Sequence, residues 1–259
     1  YFPVLHGTFG EDGTIQGLLE MAGIAYVGSG VLGSALGMDK GVFKTIMMGH
    51  NLPVLPAVIV TRNQIRTDIH QVVALAETLS DYPLFTKPAN LGSSVGITKC
   101  RSKSDLMEGL MDAARYDRRI LIEKGLSSAR EIEVSVLGNE EPRAAIPGEV
   151  IPGEDFYTYS AKYLSDNAQY KIPADLPQGK LTEIQKIAVA AYKAIDCAGL
   201  ARVDFLVNAD DQEVYLSEIN TFPGFTRISM YPKLWENSGL PYKQLIEKLI
   251  ELAMQRKAD

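Results

Sequence analysis

The sequence predicts an α/β (α+β) fold, and three features carry that reading. Short β-rich runs alternate with amphipathic helical stretches from one end of the chain to the other. Near the C-terminus two β-type runs flank Asn208-Ala209-Asp210-Asp211, a turn-rich join that reads as an antiparallel hairpin. With 259 residues, 46% of them hydrophobic, the chain can bury one large core or those of two to three small domains packed together.

Pro3–Leu5 reads as a strand, Gly7–Gly13 as an acidic glycine-rich loop, Thr14–Met21 as a helix ending at Gly23, and Ile24–Val27 as another strand; together they look like the tail of a doubly wound unit. A helix from Leu36 carries Lys40 and Lys44 on one face, with Lys44 read as a solvated surface position and left without a role. Pro53 and Pro56 break the chain before the β-rich run Ala57–Thr61. A helix over Asp68–Leu79 leads to a short strand, Tyr82–Lys87, and a Gly/Ser loop, Pro88–Gly96. The next helix begins near Ser104 with apolar residues at 106, 107, 110, 111 and 114, and Arg119–Glu123 returns as a strand. Glu131–Leu137 alternates as a strand does. Pro147–Pro177, crowded with Tyr, Gly and Pro, has no clear period, and a connection this long inside a compact domain reads as a functional lid. Leu181–Ala198 is an amphipathic helix, Ala201–Val207 and Glu213–Ser217 form the hairpin, and Tyr242–Met254 is a closing helix.

Composition narrows the ligands. The net charge is −6, from 26 Lys and Arg against 32 Asp and Glu, so there is no basic excess to neutralise a nucleic-acid backbone. A polyanionic ligand must therefore meet local, focused positive charge. Cys100 and Cys197 stand in unrelated contexts, so neither a disulfide framework nor a metal knuckle is expected, and a reduced, cytoplasmic setting is. No apolar run approaches the roughly 18 residues of a membrane span, and no basic-then-apolar leader opens the chain. Absence of an initiator Met leads us to expect a start in the middle of a domain.

The hairpin carries the chemistry. Alternate strand residues share a face, so Glu218 and Asn220 project together and Asp204 lies roughly across from them. Two carboxylates and an amide oxygen, with no His or Cys, match what magnesium prefers while phosphate and water fill its other positions. Solvated polar positions on an antiparallel sheet would read the same way for a lone Asp and Glu. Arg202, two residues before Asp204, and Thr-Phe-Pro-Gly directly after Asn220 favour a magnesium-nucleotide site.

Glu-Ile-Asn-Thr-Phe-Pro-Gly with Arg-Val-Asp upstream resembles the metal and oxyanion segment of the ATP-grasp ligases, and among them the D-alanine–D-alanine ligases. The resemblance runs from His6 to the C-terminal helix. It implies an ATP-grasp fold, two α+β subdomains gripping ATP, divided as residues 29–122 and 123–259, with residues 1–28 as the remnant of an N-terminal substrate domain most of which has no counterpart here. It implies two magnesium ions, replaceable by manganese, on Asp204, Glu218 and Asn220. Arg202 and the backbone N–H of Gly224 would steady the tetrahedral oxyanion formed when an amine attacks an acyl phosphate. Ser229 and Met230 would hold the carboxylate of the second substrate, and His6, in His-Gly-Thr-Phe-Gly-Glu-Asp-Gly, would lie near that of the first.

The same resemblance distributes the nucleotide contacts. Lys40 and Lys87 match phosphate-contacting lysines, and Ser93 and Ser94 sit in a loop whose N–H groups and hydroxyls can close on phosphate oxygens, Ser93 also positioning the first substrate. Glu123, Lys124 and Leu126 match the hinge that binds adenine, Glu131 the carboxylate that takes the ribose hydroxyls, and Leu206 an ATP-site position. In the long loop Phe156 would pack on adenine, Lys162 would reach the phosphates, and Tyr163 would close over the substrates and mark a maker of dipeptide over the ester D-alanyl-D-lactate. The implied reaction joins two D-alanines through a D-alanyl phosphate for peptidoglycan, in a homodimer with no nucleic-acid or membrane partner. Two other readings stand beside it: a different ATP-grasp carboxylate–amine ligase, including a D-alanine–D-lactate ligase, and a truncated, non-catalytic ATP-binding protein.

Overall fold

The computed structural model describes residues 1–92, 95–151, 169–226 and 228–258. Two antiparallel sheets organise them. The smaller contains β1 (Ala57–Thr61), β2 (Leu84–Pro88), β3 (Thr98–Cys100) and β4 (Arg119–Lys124), in the order β1-β4-β2-β3. The larger contains β5 (Ala129–Gly138), β6 (Arg143–Ala144), β7 (Gly148–Ile151), β8 (Gln169–Lys171), β9 (Gly199–Asn208) and β10 (Val214–Asn220); its order is β10-β9-β5-β7-β8, with β6 also on β5.

Helices cover the sheets for the reason their sequences state, and the large sheet carries them on both faces. Helices α1 (Thr14–Met21), α2 (Val31–Met38) and α3 (Lys40–Gly49) precede the small sheet. That sheet is packed by α4 (Arg62–Thr67), α5 (Ile69–Glu77) and α6 (Lys103–Tyr116) over a core of Val60, Val73, Leu84, Leu106, Leu110 and Ile122. Ser102 Oγ caps α6 by accepting from Asp105 N at 3.2 Å. On the large sheet α7 (Gln178–Ala194) turns Leu181, Ile184, Ala188 and Ala191 inward onto Val134, Val203 and Phe205. Helices α8 (Met230–Asn237) and α9 (Tyr242–Ala258) close a further core around Leu234, Trp235 and Leu249.

Helix α3 joins the two halves. Its Phe43 and Met47 are fully buried in the large-sheet core, while Lys40 N donates to Ala89 O, just past the end of β2, at 3.0 Å. The cleft between the sheets is thus lined at its back by one helix anchored on both sides.

Several local expectations are corrected. Pro3–Leu5 and Ile24–Val27 are not strands; Tyr1 N donates to Ala25 O at 2.7 Å and Val27 N to Tyr1 O at 2.9 Å, a side-by-side contact too short to form a ladder. The helix expected from Leu36 is two helices, because Asp39 stops α2 and caps α3, its Oδ1 accepting from Gly41 N at 3.1 Å and Val42 N at 2.9 Å. On α6 the buried stripe is Leu106, Gly109, Leu110 and Ala113, so Met111 faces out. The stretch Pro147–Pro177 contains the strands β7 and β8; β7 pairs with β5, outside the stretch, and β8 adds to β7 in turn.

Candidate active site

The hairpin register places the sequence-selected side chains in rows. Across β10 and β9, Glu218 pairs with Asp204 and Asn220 with Arg202. Across β9 and β5, Asp204 pairs with Glu133 and Arg202 with Ser135. Directly paired residues in an antiparallel sheet share a face, so Glu133, Asp204 and Glu218 form one row of carboxylates and Ser135, Arg202 and Asn220 the next. The opposite face is apolar, with Val203, Phe205 and Val207 in the core.

A β-bulge makes this possible. Val214 and Leu216 point into the core, and strict alternation would send Glu218 and Asn220 after them. The register shift between Leu216 and Glu218 inserts Ser217 as an extra residue, which turns Glu218 and Asn220 to the cleft and returns Ile219 to the core.

Arg202 sits among the acids. Its guanidinium grips Asp204 with Nε and Nη2 at 2.7 and 2.6 Å, and its Nε lies 3.2 Å from Glu133 Oε2. Burial opposes its charge, but the fields of Asp204 and Glu133 more than offset this and raise its pKa well above the ordinary range. Glu133 is therefore a member of the site that motif reading passed over; its position two residues from Glu131 on an alternating strand is the signal that could have found it.

No group of three His, Cys, Asp or Glu side chains among the described residues could hold a metal ion by itself. A cation here needs the amide as well, and Asn220 Oδ1 is buried without a hydrogen-bond partner among the described residues. Two opposed carboxylates plus an orphaned amide oxygen are a donor set that fits magnesium.

In front of these rows lies a cavity of ≈ 290 Å³, walled by Arg202, Asn220, Gly224, Ser229, His6 and Glu11 among others. The Gly224 side is shaped closely: a Cβ there would meet Ser229 Oγ at 3.0 Å. Ser229 Oγ accepts from Thr226 N at 3.0 Å, and Met230 begins α8, so this end of the cavity offers a hydroxyl at a helix start. His6 Nδ1 lies 3.1 Å from Phe222 O, fastening the N-terminal loop to the wall, and within that loop Glu11 Oε2 accepts from Gly7 N at 2.5 Å. Burial, the largest influence, pushes the Glu11 carboxyl up to about 7.

Of the residues that the resemblance assigns to the nucleotide, Lys40 lines this cavity, whereas Lys87, Glu123 and Glu131 do not. Lys40 Nζ donates to Leu91 O at 2.7 Å and lies 3.6 Å from Glu218 Oε2, so it spans the Gly/Ser loop and the carboxylate row. Asp39 supports that loop, accepting from Asn90 Nδ2 at 2.7 Å and pairing with Arg119. Lys87 Nζ stands 2.5 Å from Glu123 Oε2, and Lys44 Nζ contacts the other oxygen, Oε1. Lys44 is thus no solvated surface lysine but 4% exposed; the polar i, i+4 spacing from Lys40 hid a helix face turned into the protein. Burial raises the Glu123 carboxyl, yet Lys87 and Lys44 outweigh it and pull it to about 2. Lys124 N donates to Pro56 O at 2.9 Å and Gly125 N to Pro83 O at 2.9 Å, tying the chain just before Leu126 to the small-sheet half. Glu131 faces Leu206 across β5 and β9. Ser93, Ser94, Phe156, Lys162 and Tyr163 lie outside the described residues.

The two antiparallel sheets thus face each other across a cleft with lysines on one lip and a row of carboxylates on the other, and the chain that builds it is similar to known proteins. Residues 46–251 match the model of the D-ala D-ala ligase C-terminus, and residues 1–29 that of the D-ala D-ala ligase N-terminus. The chain belongs to the D-alanine–D-alanine ligase family. It is 55% identical over 258 residues to a D-alanine–D-alanine ligase of Acetivibrio thermocellus, covering 100% of this chain and 68% of that relative. It is 50% identical over 256 residues to the ligase of Heliobacterium modesticaldum, covering 99% and 70%. Among solved structures, the D-alanine–D-alanine ligase of Coxiella burnetii superposes with a TM-score of 0.86 at 38% identity, covering 99% of this chain and 68% of that one. The VanG D-Ala:D-Ser ligase of Enterococcus faecalis does so with a TM-score of 0.86 at 36% identity, covering 97% and 72%. The architecture of this family member is accordingly the ATP-grasp fold. No helix among its described residues is long and apolar enough to cross a membrane.

Proposed function

We propose that this chain joins two D-alanines to D-alanyl-D-alanine, using ATP and passing through D-alanyl phosphate, as a step in supplying peptidoglycan precursors. The observation that carries the reading is the pair of rows, Glu218 opposite Asp204 and Asn220 opposite Arg202, beside a cavity walled by Gly224, Ser229 and His6.

The first D-alanine carboxylate attacks the γ-phosphate of ATP, giving the acyl phosphate and ADP. Lys40 and Lys87 would neutralise the transferred charge. The amine of the second D-alanine then attacks the acyl carbonyl, and phosphate leaves. Arg202 and the Gly224 N–H steady the oxyanion, preorganised donors being worth most in a desolvated site. His6 and the Ser229–Met230 corner orient the two carboxylates, so that positioning supplies much of the rate. Asp204, Glu218 and Asn220 would hold magnesium, or manganese in its place, in two ions. Bound there, the metal supplies charge neutralisation on the phosphates. Glu123, Lys124, Leu126, Glu131 and Leu206 are read as the adenosine side of the cleft, with residues 29–122 and 123–259 as its two halves.

We further place the protein in the cytoplasm as a homodimer, with small molecules as its ligands. The D-Ala:D-Ser ligase among the similar structures favours a second reading, in which the second substrate is D-serine. Phosphate release from ATP, measured with and without D-alanine, tests the proposal. Release that depends on D-alanine and yields the dipeptide in preference to D-alanyl-D-serine or D-alanyl-D-lactate is expected; D-alanine-independent release, or none, overturns it.

A further inference from the structure

Lys44 has no part in the reaction set out above, yet it is the one lysine or arginine buried among the described residues, at 4% exposure. It sits one turn past Lys40 on α3, whose neighbouring Phe43 and Met47 are locked in the large-sheet core. Its ammonium reaches across to the small sheet and contacts Glu123 Oε1, while Lys87 takes Oε2 at 2.5 Å. One buried carboxylate is therefore shared by two ammonium groups, one on the interior side and one towards the cleft, and the trio carries a surplus positive charge.

A purely structural need at this point would be met by an apolar side chain. Replacing a buried ion pair with hydrophobic residues of similar size is often neutral or stabilising, because desolvating charge is costly. That cost is visible here: burial lowers the Lys44 pKa more than Glu123 can raise it. A charge kept at such expense, in contact with a carboxylate that itself holds Lys87, points to a task at the nucleotide cleft.

We propose that Lys44 is a positioning residue of the nucleotide site: it fixes Glu123 from the protein interior, so that Glu123 holds the Lys87 ammonium where an incoming polyphosphate meets it. This rests on the ATP reading above. Lys44 does not touch the nucleotide; it acts through Glu123 and Lys87, and the three behave as one unit.

Calorimetric titration of magnesium-ATP into the full 259-residue chain tests this. Lys44→Met leaves Glu123 paired with Lys87, so the fold should survive, as a thermal melt without nucleotide will show. We expect Lys44→Met to weaken magnesium-ATP by about tenfold, and Lys87→Met to weaken it at least as much. Because residues of one network are non-additive, the double variant should bind within about threefold of Lys87→Met alone. Lys44→Arg keeps the charge, should bind within about threefold of wild type, and carries the test if Lys44→Met melts too low. The proposal is overturned if Lys44→Met binds within about twofold of wild type. It is equally overturned if the double loss equals the product of the single ones, or if a folded Lys44→Arg binds as poorly as Lys87→Met. Wild-type protein that does not bind magnesium-ATP would sink the ATP reading itself, a result distinct from normal wild-type binding with an indifferent Lys44→Met.

Discussion

Glu218 stands directly opposite Asp204 because a single extra residue, Ser217, lies between it and the core-facing Leu216. The bulge is what converts a core strand into a site strand over its last three residues.

Deleting Ser217 should remove the bulge but keep the facing. Glu218 then follows Leu216 directly, and straight alternation still turns Glu218 and Asn220 to the cleft and Ile219 to the core. The expected outcome is a melting temperature close to that of wild type and D-alanine-dependent phosphate release that persists. Loss of the fold on deletion, with Ser217→Ala unaffected, would contradict the assignment of Ser217 as the extra residue.

Arg202 holds Asp204 in a two-point grip. Replacing it with Met should cut kcat by roughly 10²–10³, the range for removing one oxyanion donor, with a smaller change in KM for ATP. Steady-state kinetics with ATP and D-alanine varied separately will check this; a change confined to KM would remove Arg202 from the chemical step.

Asn220 presents a buried amide oxygen without a hydrogen-bond partner among the described residues. Asn220→Leu, similar in size but without the oxygen, should raise the magnesium concentration needed for half-maximal turnover while leaving the melting temperature nearly unchanged. A shift in melting temperature without one in metal dependence would assign Asn220 to structure.

Much of this was legible in the chain because its signals are local. The run Arg-Val-Asp then Glu-Ile-Asn marks the hairpin, and period-two alternation from Val203 to Val207 separates site from core. The bulge was legible only in hindsight, as a switch of the apolar phase from Val214 and Leu216 to Ile219. Lys44 reads as solvated because a lysine at i+4 from another lysine looks like a solvated stripe; its burial depends on Glu123, far along the chain, and no local pattern encodes that meeting. Pro3–Leu5 and Ile24–Val27 have strand-like composition, but a strand needs a ladder, and two hydrogen bonds do not make one.

Glu11 sets a pH dependence. Its carboxyl is raised from 4.5 to about 7, chiefly by burial, against hydrogen bonds from Gly7 and Phe222 and the field of Arg202. The folded protein holds this proton more tightly than the unfolded chain, so the associated stability is complete below pH 4.5 and is lost as pH rises through about 7. Glu11→Gln has no proton to lose, and its melting temperature relative to wild type should climb across that window and level off above it. Thermal melts over the range will decide; a constant difference contradicts the assignment.

The central claim is that a D-alanine carboxylate is activated by direct transfer of phosphate from ATP. Turnover of D-alanine labelled with ¹⁸O in its carboxylate, with mass analysis of the released phosphate, tests it most directly. Attack of the carboxylate on the γ-phosphate carries one labelled oxygen into each phosphate formed alongside the dipeptide. Phosphate released without label would mean that ATP is hydrolysed by water and that the cleft performs some other chemistry.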